Sequence, residues 1–136
     1  MDDGALIRRA IEARERAYAP YSSFAVGAAL LAPDGRVFTG CNVENRTFAL
    51  TLCAERNAVF QAVAAGVRRI EALAVVSGPG ASMCGACRQV VREFADADTR
   101  LLLSDTEGRF RETRMAEVLP DSFGPEGLGV DTPWHA

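Results

Sequence analysis

The period of the apolar positions changes several times along the chain, and each change marks an element. Residues 5–18 set Ala5, Leu6, Ala10, Ala13, Ala17 and Tyr18 among arginines and glutamates, the spacing of an amphipathic helix. Tyr18-Ala19-Pro20-Tyr21-Ser22-Ser23 ends it, because proline restricts its predecessor and cannot continue the helical ladder. Two apolar runs follow, 25–32 and 36–41, joined by Pro33-Asp34-Gly35. Asp-Gly between such runs predicts a hairpin. Residues 42–52 are mostly polar and read as a loop. Over 53–65 the period is helical again, with Gly66 placed as a stop. A buried strand is predicted at 72–77, a loop at Gly78-Pro79-Gly80, a helix from 85 to 95 and a strand at 100–104. A turn at 105–108 and a short helix at 113–119, stopped by Pro120, complete the pattern.

The order is helix, hairpin, helix, strand, helix, strand. Its alternating second half predicts an α/β fold, a sheet with helices on both faces. No repeat, low-complexity segment or linker divides the chain, so residues 1–136 read as one domain, with 126–136 as a loose C-terminal tail. Half the residues are apolar and about a quarter charged, as in ordinary globular proteins. The net charge of −3 argues against phosphate-backbone binding and so against a nucleic-acid partner. No apolar run reaches the roughly 18 to 20 residues that span a bilayer, and Met1-Asp2-Asp3-Gly4 is unlike a signal peptide. The chain therefore reads as cytoplasmic, where thiols stay reduced and clustered cysteines point to metal binding or catalysis.

Two short motifs carry that chemistry: Cys53-Ala54-Glu55-Arg56 and Cys84-Gly85-Ala86-Cys87-Arg88-Gln89. Both fall at predicted helix starts, whose free N–H groups and positive dipole end stabilise thiolates. One helix and one strand separate them, so a single crossover returns the chain beside its starting point. Three thiols closing on one zinc leave a fourth position for water, and Glu55 is placed to move that water's protons. Three thiolates on a dication leave a charge of about −1, which weakens zinc as an acid toward its water. Arg56, three residues after Cys53, and Arg88, next to Cys87, are placed to donate to the sulfurs and offset that charge. The alternative is a structural four-cysteine knot that adds Cys41. Cys41 ends a predicted strand, has no short spacing to a second cysteine, and a knot leaves Glu55 without a task. His135, the only histidine, lies in the tail.

These motifs resemble those of the zinc-dependent cytidine deaminases, in the small form with three cysteine ligands. Three further stretches extend the likeness over roughly residues 5–125. They are Tyr18-Ala19-Pro20-Tyr21-Ser22-Ser23-Phe24-Ala25-Val26-Gly27-Ala28-Ala29-Leu30, Thr39-Gly40-Cys41-Asn42-Val43-Glu44-Asn45, and Leu119-Pro120-Asp121-Ser122-Phe123-Gly124-Pro125. The resemblance implies a three-layer α/β/α sandwich around a mixed sheet of about five strands. It also implies a homotetramer serving pyrimidine salvage, with a nucleoside as its small-molecule substrate.

The resemblance further implies roles for single residues. Cys53, Cys84 and Cys87 would hold zinc, and the water activated there would attack C4 of cytosine. Glu55 would carry the protons, ending with the departing ammonia. Asn42 and Glu44 would bind the ribose hydroxyls, Phe24 would pack on the pyrimidine, and the Ala54 backbone would read the base edge. Phe48 and Phe123 would reach the site from neighbouring subunits. Three positions depart from the family pattern: Phe48 replaces a common tyrosine, Arg46 a small residue, and Met83 a proline. They keep two alternatives open, a deaminase of a modified cytosine nucleoside such as blasticidin S, and an inert zinc-binding paralogue.

Overall fold

The structure, a computed structural model, describes residues 1–128. Its elements in chain order are α1 (Asp3–Arg14), β1 (Gly27–Leu31), β2 (Val37–Cys41), α2 (Ala54–Ala64), β3 (Ala72–Val76), α3 (Gly85–Arg92), β4 (Arg100–Ser104), β5 (Phe110–Arg114) and α4 (Met115–Val118). The five strands form one mixed sheet in the order β2-β1-β3-β4-β5. Only β3 and β4 run parallel, joined across the crossover that contains α3; the other neighbours are antiparallel.

Alternation along the strands makes the layers, because successive side chains point to opposite faces. Ala29, Ala74, Val76 and Leu102 face α1, where Leu6, Ile7 and Ala10 close over them. Ala28, Leu30, Leu73, Val75, Leu101 and Leu103 face the other way, beneath Ala58 and Val59 of α2 and Val91 of α3. The sheet is therefore covered on both sides, so its central strands read as continuous apolar runs. This is the expected three-layer α/β/α sandwich.

The observed elements depart locally from the predicted ones. The first helix stops at Arg14, short of residue 18, because the Tyr18 backbone is used elsewhere. Its N–H donates to the Asn42 carbonyl at 2.9 Å, and its carbonyl accepts the Glu44 N–H at 2.8 Å. The segment 42–52 is not all loop: Val43 bridges Tyr18 and Leu52, and Phe48–Leu50 forms a 3-10 helix. Helix α3 ends at Arg92, before residue 95. Strand β5 was not predicted, because only Thr113 of its five residues is buried and no apolar alternation marks it; pairing with β4 makes it a strand. Pro125–Leu128 forms a 3-10 turn where the tail was expected to begin, and the rest of that tail, with Trp134 and His135, lies outside the described residues. Among the described residues, no helix is long and apolar enough to cross a membrane.

Helix α2 sits unusually close to the edge strand β2. Asn57 and Gln61 donate to the carbonyls of Cys41 and Thr39 at 3.1 and 2.9 Å, covering that edge. A Cβ on Gly40 would lie 2.6 Å from both the Ala54 carbonyl oxygen and the Ala58 nitrogen, so only glycine lets the first turns of α2 seat there. Gly40→Ala is expected to cost about 1–3 kcal/mol, the range for overpacking a close contact. Gly78→Ala, where an added Cβ meets nothing within 4 Å, should stay within about 0.5 kcal/mol. Denaturant unfolding of the two variants measures both, and equal stabilities would contradict the seating.

Candidate active site

Both cysteine motifs open helices, as their sequence positions predict. Cys53 caps α2 and Cys84 caps α3, each with extended backbone at ψ 155 and 164, while Cys87 lies buried in the first turn of α3. The Cys84 sulfur accepts the Cys87 N–H at 3.5 Å. The sulfurs of Cys53, Cys84 and Cys87 all lie within 4.8 Å of one another, and those of Cys53 and Cys84 are 4.0 Å apart. Tetrahedral zinc with Zn–S bonds of about 2.3 Å sets its sulfurs roughly 3.8 Å apart, so the cluster fits the ion with small adjustment. Three soft thiolate donors also suit zinc better than a hard cation. The Cys41 sulfur is not in this group, which removes the four-cysteine knot.

Charge is arranged around the sulfurs unevenly. Hydrogen bonding from the Cys87 thiol, reinforced by the Arg56 guanidinium, lowers Cys53 to about 5. The same contact and burial push the Cys87 thiol up. Arg56 Nη2 donates to the Cys53 sulfur and to the Thr51 carbonyl, each at 3.2 Å. Its Nε is buried with no partner among the described residues. Arg88 corrects the expectation drawn from its place beside Cys87. It turns away from the sulfurs, donating to the carbonyls of Met83 at 2.8 Å and Val118 at 2.7 Å and to Ser82 Oγ at 3.1 Å. Two backbone carbonyls and one serine hydroxyl outcompete one sulfur, so Arg88 fixes the loop leading into Cys84.

Glu55 is 4 % exposed, and burial raises its carboxyl above the ordinary carboxylate range. Its place in the first turn of α2 favours the anion, so the raised value means that desolvation outweighs the helix dipole. A carboxyl so poised can both accept and give a proton.

The site opens into a cavity of about 260 Å³. Cys53, Cys84 and Glu55 line it together with Phe24, Asn42, Glu44 and Ala54. The Asn42 amide is held at both ends, accepting the Val26 N–H at 2.9 Å and donating to the Phe24 carbonyl at 2.8 Å. Phe48 and Phe123 are outside this lining and are 72 % and 61 % exposed. Ser22, Thr51, Ser77 and Ser82 also line it and were not singled out from sequence, since small polar residues carry no periodic signal. No arginine lines the cavity; its charged walls are acidic.

Residues 1–102 match the family model described as the cytidine and deoxycytidylate deaminase zinc-binding region. The chain belongs to this family. It is 50 % identical over 131 residues to a cytidine deaminase of Sporosarcina psychrophila, covering 94 % of this chain and 96 % of that one. It is 49 % identical over 121 residues to a cytidine deaminase of Mycobacterium tuberculosis, covering 88 % and 87 %. The crystal structure of cytidine deaminase from Burkholderia pseudomallei superposes with a TM-score of 0.87 at 49 % identity, covering 90 % of this chain and 100 % of that one. Zinc is the cofactor of this deaminase-family chain, and the three-thiol cluster is its matching donor set.

Replacing Cys53, Cys84 or Cys87 singly by serine should abolish stoichiometric zinc, whereas Cys41→Ser keeps it. Arg56→Gln should weaken zinc affinity about 10- to 100-fold, the usual cost of losing a group that holds a ligand. Elemental analysis and chelator competition read both outcomes, and zinc loss in Cys41→Ser would count against the assignment.

Proposed function

We propose that this chain is a zinc-dependent cytidine deaminase, hydrolysing cytidine and deoxycytidine to uridine and deoxyuridine with release of ammonia. One observation carries the reading: a buried carboxyl and three converging thiols close one end of a pocket whose remaining walls suit a neutral nucleoside. Cys53, Cys84 and Cys87 would hold zinc, which would supply an activated water at neutral pH. Glu55 would take a proton from the attacking water and pass it to the ring nitrogen beside C4. It would then take the second proton from the hydroxyl added at C4 and give it to the departing amino group, so one water enters and one ammonia leaves. Arg56 donates to the Cys53 sulfur and offsets the excess negative charge of three thiolates. Ala54, at the start of α2, offers its backbone to the base edge, and Phe24 offers its ring to the pyrimidine face. Glu44 and Asn42 supply an acceptor and a donor for the sugar hydroxyls.

The family name covers both nucleoside and nucleotide substrates, and the charge of the pocket decides between them. A phosphorylated substrate would bring its dianion to walls carrying Glu44, Glu55 and thiolates, with no arginine among them. A neutral nucleoside meets no such repulsion. Arg46, Phe48 and Met83, the three departures from the family pattern, all lie outside the lining of this chain's own cavity.

The fold acts as one domain, and the proposed assembly is a homotetramer in the cytoplasm, in the salvage of pyrimidine nucleosides. Its support is the placement of apolar side chains: Tyr18, Tyr21, Phe48, Leu50 and Phe123 are exposed on the single chain. Tyr21 and Phe48 meet edge to face at 6.0 Å, forming a rigid aromatic rim that a neighbouring copy can cover.

Zinc-loaded protein should release ammonia from cytidine and deoxycytidine, with falling absorbance in the cytosine band, at least 100-fold faster than from cytidine monophosphate. Glu55→Gln should retain zinc and lose about 10²- to 10⁴-fold in kcat, the usual contribution of a positioned acid–base group. Normal turnover by that variant would overturn the role of Glu55. Sedimentation should show a four-chain particle, and Phe123→Ala should reduce turnover at least tenfold; full activity in a monomer would overturn the assembly.

A further inference from the structure

Ser22 has no role in the scheme above, yet the recognition groups of the pocket join at its hydroxyl. That hydroxyl donates to Glu44 Oε2 and accepts the Phe24 N–H at 3.0 Å. Glu44 Oε1 accepts the N–H groups of Tyr21 and Ser22 at 2.9 and 3.1 Å. The Phe24 carbonyl then accepts from Asn42 Nδ2 at 2.8 Å. Glu44, Ser22, Phe24 and Asn42 thus form one unbroken run of hydrogen bonds, and all four line the cavity.

A carboxylate has about four lone-pair sites, and the Tyr21–Ser22 turn occupies three of those on Glu44, leaving one for a ligand hydroxyl. The Ser22 hydrogen bond also holds Glu44 below the ordinary carboxylate range, keeping it an acceptor. Ser23 stands at φ 58, a left-handed conformation that residues other than glycine seldom adopt. One backbone bond, from the Ser23 N–H to the Ala19 carbonyl at 3.0 Å, closes the turn, and three bonds to the Glu44 carboxylate add to it. Without the Ser22 hydroxyl, Glu44 Oε2 and the Phe24 N–H each lose their link, and the carboxylate, still held at Oε1 by the Tyr21 and Ser22 N–H groups, loses the one bond that ties it to the aromatic residue.

We infer that Ser22 is a positioning residue that fixes the Glu44 carboxylate against Phe24, so that the sugar contact and the base contact are set at one spacing. The inference rests on the deaminase reading of this pocket. Zinc-loaded Glu55→Gln protein, titrated with cytidine in a calorimeter, isolates binding from chemistry. In that background Ser22→Ala should bind cytidine about tenfold more weakly, as expected for a hydrogen bond to a charged group. Ser22→Thr, which keeps the hydroxyl, should stay within about threefold. With Glu44→Gln added, the effect of Ser22→Ala should shrink to about twofold or less, because the two residues act through one network.

In the active enzyme, Ser22→Ala should raise KM about tenfold and leave kcat within about twofold, with zinc content unchanged. Unaltered cytidine affinity in Ser22→Ala, an equal loss in Ser22→Thr, or a fall in kcat at constant KM would each overturn the inference. Failure of the deaminase reading shows separately. Zinc-loaded wild-type protein that binds cytidine yet releases no ammonia sinks that reading, while the binding series still decides the role of Ser22.

Discussion

Helices α2 and α3 both start on the same face of the sheet, and their seating fixes where three sulfurs can meet. Cys53 and Cys84 are caps rather than helical residues, so their positions are set by where each helix begins and not by side-chain rotamers alone. Each beginning is itself pinned. Gly40 admits the first turns of α2 against β2, and Asn57 and Gln61 tie that helix to the strand's free carbonyls. Arg88 does the same for the loop before α3, holding Ser82 and Met83 from one side and Val118 from the other. A shift of about 1 Å in either helix would move a sulfur by a large fraction of a Zn–S bond, so the metal geometry inherits the packing of the core.

The electrostatics follow from this packing. Two guanidiniums flank ligand cysteines in sequence, but only Arg56 reaches a sulfur. Of the excess charge left by three thiolates on a dication, the protein therefore offsets a part and leaves the rest. Glu55 sits within this field and is buried, which favours its neutral form; a bound dication would pull the other way. Burial and a bound cation thus act on this carboxyl in opposite senses. Arg88 shows why adjacency in sequence is a weak guide to charge placement. Side chains one residue apart on a helix point about 100° apart, so its neighbour Cys87 faces the site while Arg88 faces the loop.

How much was legible in the sequence depended on whether a residue's role left a pattern. The helices and the central strands did, because burial on both faces of the sheet writes long apolar runs, and the cysteine spacing marked the metal site. Strand β5 left none: Phe110-Arg111-Glu112-Thr113-Arg114 has almost no buried face and is a strand only because β4 offers it a ladder. The end of α1 was misplaced for a similar reason. Ala17 and Tyr18 keep the helical spacing, but the 42–44 segment takes the Tyr18 backbone groups that the helix would have used. Ser22 lies inside a stretch that was quoted for its likeness to a family, yet its bonds cross to Glu44, and no local pattern reports a contact 22 residues away.

That same 42–44 segment explains why Asn42 and Glu44 both face the cavity. Val43 exchanges backbone hydrogen bonds with Leu52 at 2.9 Å each way, while Tyr18 bonds to Asn42 and Glu44 on its other side, so the segment behaves as a short strand. In a strand the side chains alternate, which sends Asn42 and Glu44 to one face and Val43 to the other. Asn42 and Glu44 line the cavity; Val43 does not and is exposed. Both polar side chains are already partly engaged, Asn42 with Phe24 and Val26, Glu44 with Tyr21 and Ser22, so neither has to be ordered when a ligand arrives. Hydrogen bonds that hold the empty pocket together remove much of the entropic cost of filling it, and they limit each group to the few donors and acceptors left over. What a ligand can bind there is then limited to what the scaffold has not already used.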